Sequence, residues 1–162
     1  MRVQDSSIPA EYQHLLKFNN FNKLQTATFD KIYNQTDNII VKAPTGSGKT
    51  ALFELEILKH LDKLKTSKSN GSLDENNNHI AEERTPKVFV YFAPLRAICS
   101  QIYKNWQKFT EFGINVLISA GEESTIQDFL LLLKSNNSDS SEDTIIITTP
   151  EKFSQITSVY KN

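Results

Sequence analysis

A glycine-rich segment, APTGSGKT at residues 43–50, constrains this chain more than any other part of its sequence. It follows a β-branched run, Ile39–Val41, that is typical of a buried strand. Five leucines at helical spacing come after it and are expected on one side of a helix: Leu52, Leu55, Leu58, Leu61 and Leu64. A glycine loop between a strand and a helix lets backbone N–H groups converge at the helix N-terminus, where they bind phosphate groups. The segment therefore predicts a site for a nucleoside triphosphate.

Each loop residue has an expected part in that site. Gly46 and Gly48 allow close approach of the backbone, Lys49 brings a positive charge to the β- and γ-phosphates, and the Thr50 hydroxyl binds Mg²⁺. Lys49 and Thr50 are thus the predicted catalytic residues, and Thr50 is the predicted metal ligand. Ala43 stands where the general pattern has glycine. The other loop residues predicted to bind the cofactor ATP are Ala43, Pro44, Thr45 and Ser47.

Strand and helix patterns alternate along the rest of the chain. Helical spacing occupies residues 8–37 in two pieces, ended by the turn-forming NQTDN, and Gly113 is a predicted C-cap. Further strands are predicted over 87–94, 114–121 and from residue 144, with helices after each, including one over 124–135. The helical spacing of Ile98, Ile102, Trp106 and Phe109 predicts that Trp106 and Phe109 lie in the core. This alternation predicts an α/β fold in which a parallel sheet carries helices on both faces.

Two polar stretches, 65–86 and 135–143, contain few large apolar residues and are predicted to be flexible insertions. The formal net charge of −1 gives no general attraction to nucleic acid, so any such binding must use local donors. The single cysteine, Cys99, is expected to be a buried apolar side chain. No segment is apolar over the length of a membrane span, so we expect no membrane association.

Four motifs occur in the order found in superfamily 2 helicases. FNKLQ at 21–25 resembles the Q motif, residues 43–50 resemble motif I, APLRAI at 93–98 resembles motif Ia, and TTPEK at 148–152 resembles motif Ib. In that family the glutamine of the Q motif reads the adenine edge, so the resemblance implies this role for Gln25. It also implies a RecA-like P-loop NTPase fold, with residues 1–37 as an N-terminal helical segment and 38–162 as a partial ATP-binding domain.

Longer stretches narrow the resemblance. Residues 8–29, 51–58, 97–109 and 148–153 look like the superkiller-type branch, and within it most like the meiotic crossover DNA helicases. The resemblance implies an incomplete first motor lobe of an ATP-dependent enzyme that separates DNA strands in the nucleus during meiotic recombination. The implied partners are single-stranded or branched duplex DNA and a second helicase lobe in cis.

Motifs Ia and Ib in this family grip the sugar-phosphate backbone of one strand, which conveys no sequence information. The resemblance implies nucleic-acid contacts by Pro94, Leu95, Arg96, Thr149, Pro150 and Glu151. Taken alone, Thr149–Glu151 would be a helix cap, with Thr as N-cap, Pro at the first helical position and Glu in the first turn. Residues 120–122 read Ala-Gly-Glu where the family usually has Thr-Gly-Asp, which weakens the prediction of a contact at that turn.

Helicases take the carboxylates for Mg²⁺ and for the attacking water from an Asp-Glu pair that follows an apolar strand. No predicted strand here ends in such a pair, although Glu122 and Glu151 follow strands. We therefore expect the 162 residues alone to bind ATP weakly without turning it over. Two alternatives are an RNA helicase of the same branch, which is less favoured, and a stand-alone nucleotide-binding module without catalysis.

Overall fold

The computed structural model describes residues 1–69, 85–121 and 142–159. The chain divides into two compact units, Met1–Ala81 and Glu82–Asn162. The helix predicted over 124–135 and most of both predicted insertions lie outside the described residues. Among the residues that are described, no helix is long and apolar enough to cross a membrane.

The first unit is helical. A short 3-10 helix and three α-helices follow in chain order: Val3–Asp5, then α1 (Ala10–Gln13), α2 (Lys23–Tyr33) and α3 (Lys49–Ser69). Of the two helical pieces predicted within residues 8–37, the second is confirmed as α2, whereas the first forms only the single turn α1 and continues in turns and bends over residues 14–19. The third helix continues to Ser69, so its end lies inside the segment predicted as an insertion.

Helices α2 and α3 pack against each other and bury the apolar stripe of each. Four of the five leucines predicted to share one side of α3 are buried: Leu52, Leu55, Leu58 and Leu61. Lys59 is also buried, and its Nζ donates to the carbonyl oxygens of Ile32 at 2.8 Å and Gln35 at 2.6 Å. A cation that binds the last carbonyls of a helix complements the helix dipole, so Lys59 fixes the C-terminal end of α2 on α3.

Tyr33 makes a second polar link between the two helices. Its hydroxyl donates to Asp62 Oδ2 at 3.2 Å. Burial, with a smaller contribution from the Asp62 carboxylate, raises the pKa of Tyr33 well above its ordinary value, so the phenol stays protonated and remains a donor.

The prediction of a strand over Ile39–Val41 is wrong. Residues 35–44 form neither strand nor helix, and the Ile40 side chain is 98% exposed. A β-branched run has only a preference for extended backbone, and a strand also needs a neighbour for its N–H and C=O groups. No described segment pairs with this run, so the preference alone does not produce a strand.

The second unit contains a parallel sheet of three strands, β1 (Val88–Phe92), β2 (Ile114–Ser119) and β3 (Asp143–Thr148), in the order β1-β3-β2. Two α-helices accompany it, α4 (Arg96–Trp106) and α5 (Pro150–Val159), and a 3-10 helix (Gln107–Phe112) follows α4. All six residues of the central strand β3 are buried. A strand that is buried at every position, with Ile145, Ile146 and Ile147 in its middle, indicates a sheet that is covered on both faces.

Aromatic contacts locate the helices on the sheet. Tyr91 and Phe92 are adjacent in β1, so their side chains point to opposite faces. The Tyr91 ring lies 4.9 Å from that of Trp106 in α4, and the Phe92 ring lies 5.0 Å from that of Phe153 in α5. Helices α4 and α5 therefore cover opposite faces, which confirms the predicted parallel sheet with helices on both sides.

Several local predictions in this unit are also confirmed. Trp106 and Phe109 are fully buried, as their helical spacing predicted. Gly113 has φ of +73° and donates its N–H to the carbonyl oxygens of Phe109 and Thr110, so it is the C-cap. Cys99 is fully buried, and burial raises the pKa of its thiol. A protonated, inaccessible thiol is unreactive, in agreement with its predicted role as an apolar side chain.

Candidate functional site

The phosphate loop in the first unit joins residues 35–44, which form neither strand nor helix, to α3. Gly46 has φ of +78° and Gly48 has φ of +83°, both in the left-handed region that favours glycine. The Ser47 N–H donates to the carbonyl of Pro44 at 3.3 Å, which closes a turn immediately before the helix. Because α3 begins at Lys49, the loop lies at the positive end of a helix of 21 residues.

The Lys49 side chain binds back to the start of the loop. Its Nζ donates to the carbonyl oxygens of Ala43 and Pro44, both at 2.7 Å. These contacts are exposed, so the ammonium group is held by neutral acceptors at the protein surface. Phosphate oxygens are stronger acceptors for a cation than carbonyl oxygens are. Lys49 is therefore placed to exchange the two carbonyls for a triphosphate without leaving the loop.

The N-terminus of α2 contacts the loop from the other side. Gln25 is 4% exposed, and its Nε2 donates to the carbonyl of Gly48 at 3.4 Å. Its Oε1 accepts from the backbone N–H of Asn22 at 3.0 Å. The structure thus brings Gln25 to the predicted phosphate loop, although 23 positions of sequence separate it from Gly48.

Asn22 was not among the predicted site residues. Its Oδ1 accepts from the Gln25 N–H at 2.9 Å, and its Nδ2 donates to the carbonyl of Ser47 at 3.0 Å. Asn22 and Gln25 together form a capping box at the start of α2. The sequence signal for the cap is an Asn three residues before a Gln. That signal identifies the helix start, but it carries no information about the contact with Ser47.

Gly48 is the residue on which these contacts converge. A Cβ atom at Gly48 would lie 2.6 Å from Gln25 Nε2 and 3.0 Å from Asn22 Nδ2. At Gly46, a Cβ atom would meet nothing within 4 Å. Gly48 is therefore required both for its backbone conformation and for the space that the two amides occupy, whereas Gly46 is required for its conformation alone.

The residues around Thr50 fit a magnesium ion that is bound mainly by a nucleotide. No group of three or more His, Cys, Asp or Glu side chains that could hold a metal occurs in the part of the chain that the structure describes. Thr50 lies in the first turn of α3, beside the loop. The Ser47 hydroxyl oxygen is buried and has no hydrogen-bond partner among the described residues. Mg²⁺ commonly takes few protein ligands and completes its shell with phosphates and water, which agrees with this donor set.

The predicted nucleic-acid contacts all lie in the second unit, directly after two neighbouring strands. Pro94, Leu95 and Arg96 follow β1 and are exposed, with Leu95 62% exposed as the N-cap of α4. Thr149, Pro150 and Glu151 follow β3. Strands β1 and β3 are parallel neighbours, so their carboxyl ends share one edge of the sheet. The structure therefore brings the two predicted segments to the edge at which open parallel sheets bind ligands.

Thr149 is also the N-cap of α5, which is the role predicted for it when residues 149–151 are considered alone. Its Oγ1 accepts from the Lys152 N–H at 3.3 Å, Pro150 opens α5, and Glu151 lies in the first turn. A hydroxyl group that accepts in a cap keeps its own proton for donation. The cap therefore does not use the Thr149 proton, although the residue is buried in this structure. The Glu151 carboxylate complements the helix dipole, and Glu122 lies outside the described residues.

Comparison with known proteins agrees with this arrangement. The model of the DEAD/DEAH box helicase family matches residues 22–162. ATP-dependent DNA helicase MER3 of Saccharomyces cerevisiae is 36% identical over 150 residues, which cover 93% of this chain and 10% of that protein. Probable ATP-dependent DNA helicase HFM1 of Mus musculus is 33% identical over 159 residues, covering 97% of this chain and 9% of the relative.

A third relative is the U5 small nuclear ribonucleoprotein 200 kDa helicase of Homo sapiens, 34% identical over 161 residues, with 98% of this chain and 6% of the relative covered. The chain thus spans about a tenth or less of the length of these relatives. They confirm the resemblance to the superkiller-type branch and to MER3-like helicases. The sheet with its helices agrees with a partial RecA-like domain, and the chain belongs to the DEAD/DEAH box helicase family.

Proposed function

We propose that this chain is the ATP-binding part of an ATP-dependent DNA helicase and that it acts within a longer protein. One observation carries the proposal. The loop at 43–48 combines two glycines in the left-handed region, a helix N-terminus and the Lys49 ammonium group in one place. We propose residues 1–37 as a helical segment with the Q motif and 38–162 as part of the ATP-binding domain.

In this proposal the loop binds the triphosphate through its backbone N–H groups and Lys49, while Gln25 reads the adenine edge. The Thr50 hydroxyl would hold Mg²⁺, which neutralises phosphate charge when it is bound. Gln25 donates only one of its two amide protons to Gly48, at 3.4 Å. A carbonyl oxygen has two lone pairs, and Asn22 uses one of those on Oε1. The Gln25 amide thus retains one donor and one acceptor for a base.

We propose that nucleic acid binds at the edge of the sheet formed by the ends of β1 and β3. The exposed residues Pro94, Leu95 and Arg96 and the N-terminus of α5 would contact the sugar-phosphate backbone, without regard to sequence. DNA, as a single strand or a branched duplex, is the proposed substrate because MER3 and HFM1 are named as DNA helicases. The proposed setting is meiotic recombination in the nucleus, with a second helicase lobe in cis.

An RNA helicase is the second candidate. It is favoured by a relative in Arabidopsis thaliana named DExH-box ATP-dependent RNA helicase DExH13, which is 32% identical over 161 residues. Strand separation by the full-length protein on matched DNA and RNA duplexes distinguishes the two. Faster separation of the RNA duplex would overturn the DNA assignment and leave the ATP site unaffected.

We also propose that these 162 residues bind ATP without turning it over. Hydrolysis needs a carboxylate for Mg²⁺ and one that orients the attacking water. No predicted strand in the sequence ends in the Asp-Glu pair that supplies them in helicases. The third candidate, a nucleotide-binding module without catalysis, shares this expectation and differs in having no strand-separating activity in the full-length protein.

Replacement of Lys49 by alanine tests the ATP site. We expect the Kd for ATP-Mg²⁺ to rise about tenfold or more, since one charge-assisted contact to the phosphates is lost. Isothermal titration calorimetry measures the change. Lys63→Ala is the matched control, because Lys63 is an exposed lysine of the same helix and lies about four turns beyond the loop. Equal affinities of the wild type and Lys49→Ala would refute the proposed site.

Replacement of Gln25 by alanine tests the base contact separately. We expect the preference for ATP over GTP to decrease, because the amide can distinguish the two purine edges by its donor and acceptor. The absolute affinity for both nucleotides should also fall, since Gln25 caps α2 and contacts Gly48. The ratio of the two Kd values is therefore the informative quantity. An unchanged ratio would show that Gln25 does not read the base.

A further inference from the structure

We infer that Phe92 is a stacking platform for one unpaired base of a single-stranded nucleic acid. This role rests on the proposed binding of nucleic acid at the edge of the sheet formed by the ends of β1 and β3. It adds a contact with a base to the backbone contacts proposed there. Phe92 is the last residue of β1 and pairs with Thr148, the last residue of β3, so it lies at that edge.

Phe92 exposes much more surface than phenylalanine usually does. It is 46% exposed, whereas its partner Thr148 is fully buried. Leu95, three positions further along the chain, is 62% exposed. The two residues together expose on the order of 200 Å², far below the ~800 Å² per partner of a stable protein interface. The open apolar surface is therefore suited to a small planar group such as a base, and too small by itself to dock another protein.

The Phe92 ring is held by a neighbouring ring before any ligand binds. Its centroid lies 5.0 Å from that of Phe153 in α5, and the two ring planes are at 86°. An edge-to-face contact of this kind is favourable and fixes the orientation of both rings. A base that stacks on Phe92 therefore meets a side chain that is already ordered, so binding costs little further conformational entropy.

The surroundings of Phe92 favour a nucleic acid as the source of the base. Residues 94–96 follow it closely, and α5 contacts it through Phe153; both segments are proposed to contact a sugar-phosphate backbone. Bases on aromatic rings, with phosphates on nearby donors, are the combination by which proteins bind single strands without regard to sequence. Bases within an intact duplex are stacked on one another, so their faces are not available. Phe92 should therefore favour single strands over duplexes.

Replacement of Phe92 by leucine in the full-length protein tests this role, since leucine keeps an apolar contact with Phe153 and has no aromatic face. We expect the Kd for single-stranded DNA to rise about three- to thirtyfold, as for the loss of most of one base–aromatic stack. The Kd for a blunt duplex should not change. The salt dependence of single-strand binding should also stay the same, because no charge is removed. Single-stranded RNA should show the same loss, because the ring contacts the base and not the sugar.

Two further variants are controls. Phe92→Tyr keeps the ring and should bind single strands as the wild type does. Val88→Ala is the matched control, because Val88 is 42% exposed and lies at the opposite end of β1, on the same face as Phe92. It should leave single-strand binding unchanged.

Photochemical crosslinking gives a readout on the unmodified protein. Single-stranded oligonucleotides that carry iodouracil, which crosslinks to aromatic side chains, should attach to Phe92, as mapped by mass spectrometry. Absence of this crosslink, or an equal loss of single-strand and duplex binding in Phe92→Leu, would overturn the stacking role. If Arg96→Ala lowers the salt slope by about one while Phe92→Leu binds as the wild type does, the stacking role alone is overturned. If neither variant changes binding, the proposed nucleic-acid edge itself is refuted.

Discussion

Alanine at Gly48 is expected to weaken ATP-Mg²⁺ binding by about a hundredfold, within a range of about thirty- to a thousandfold. Two effects combine at this position. Gly48 has φ of +83°, which costs an L-residue about 1–2 kcal/mol. The new Cβ would also lie 2.6 Å from Gln25 Nε2 and 3.0 Å from Asn22 Nδ2, so both amides must move. Displacing their hydrogen bonds to the loop adds about 1–2 kcal/mol.

This cost should appear in nucleotide binding more than in folding. Most of the loop is exposed, so without a ligand the variant can relax to another backbone conformation at small cost. A bound triphosphate requires the N–H groups to converge again, and the strain then opposes binding. Calorimetric titration and thermal unfolding of the same preparation separate the two quantities, with a large rise in Kd and a small shift in the unfolding midpoint as the expected pair.

Gly46→Ala is the matched control for this prediction. Gly46 also has positive φ, +78°, but a Cβ there would meet nothing within 4 Å. Only the backbone strain remains, so the Kd should rise about five- to thirtyfold. The decisive observation is which of the two variants has the larger increase in Kd. If Gly46→Ala weakened binding as much as Gly48→Ala, the contacts of Gly48 with Asn22 and Gln25 would have no part in the site.

The fold was predictable from the sequence where the signal is local. Alternating strand and helix patterns predicted a parallel sheet, and helical spacing predicted the burial of Trp106 and Phe109. The strand order β1-β3-β2 was not predictable, because pairing of strands that are distant in sequence depends on contacts that no window of residues contains. The error at Ile39–Val41 has the same cause. The residues of a segment determine its strand propensity, whereas strand formation also requires a neighbouring strand with which the segment can pair.

In the candidate site, too, local patterns were predictable and contacts between distant residues were not. The glycines and Lys49 were predictable because a triphosphate requires those residue types at that spacing. The contact of Asn22 with Ser47 was not, since the capping pattern specifies only the start of α2. At Thr149 two interpretations competed, and the structure confirms the helix cap. Its contact with nucleic acid stays a prediction. The cap does not exclude that contact, since the cap uses the hydroxyl oxygen as an acceptor and a phosphate would accept the hydroxyl proton.

Replacement of Trp106 by alanine is expected to lower the free energy of unfolding of the second unit by about 3–5 kcal/mol. Trp106 is fully buried at the end of α4, in edge-to-face contact with Tyr91 at 4.9 Å and with Phe109 at 6.5 Å. Its removal leaves a cavity between the helix and β1 and also ends both ring contacts. Urea unfolding followed by far-ultraviolet circular dichroism measures the loss, since the variant has no tryptophan left for fluorescence.

Trp106→Phe tests whether the loss comes from the cavity. Phenylalanine keeps an aromatic ring against Tyr91 and fills most of the space, so we expect less than half the destabilisation of the alanine variant. Ser100→Ala, at an exposed position of the same helix, should leave stability nearly unchanged. A loss below about 1 kcal/mol in Trp106→Ala would mean that the neighbouring side chains collapse into the space, because the cost of such a substitution follows the volume of the cavity that remains. In that case α4 would not depend on Trp106 to hold it on the sheet.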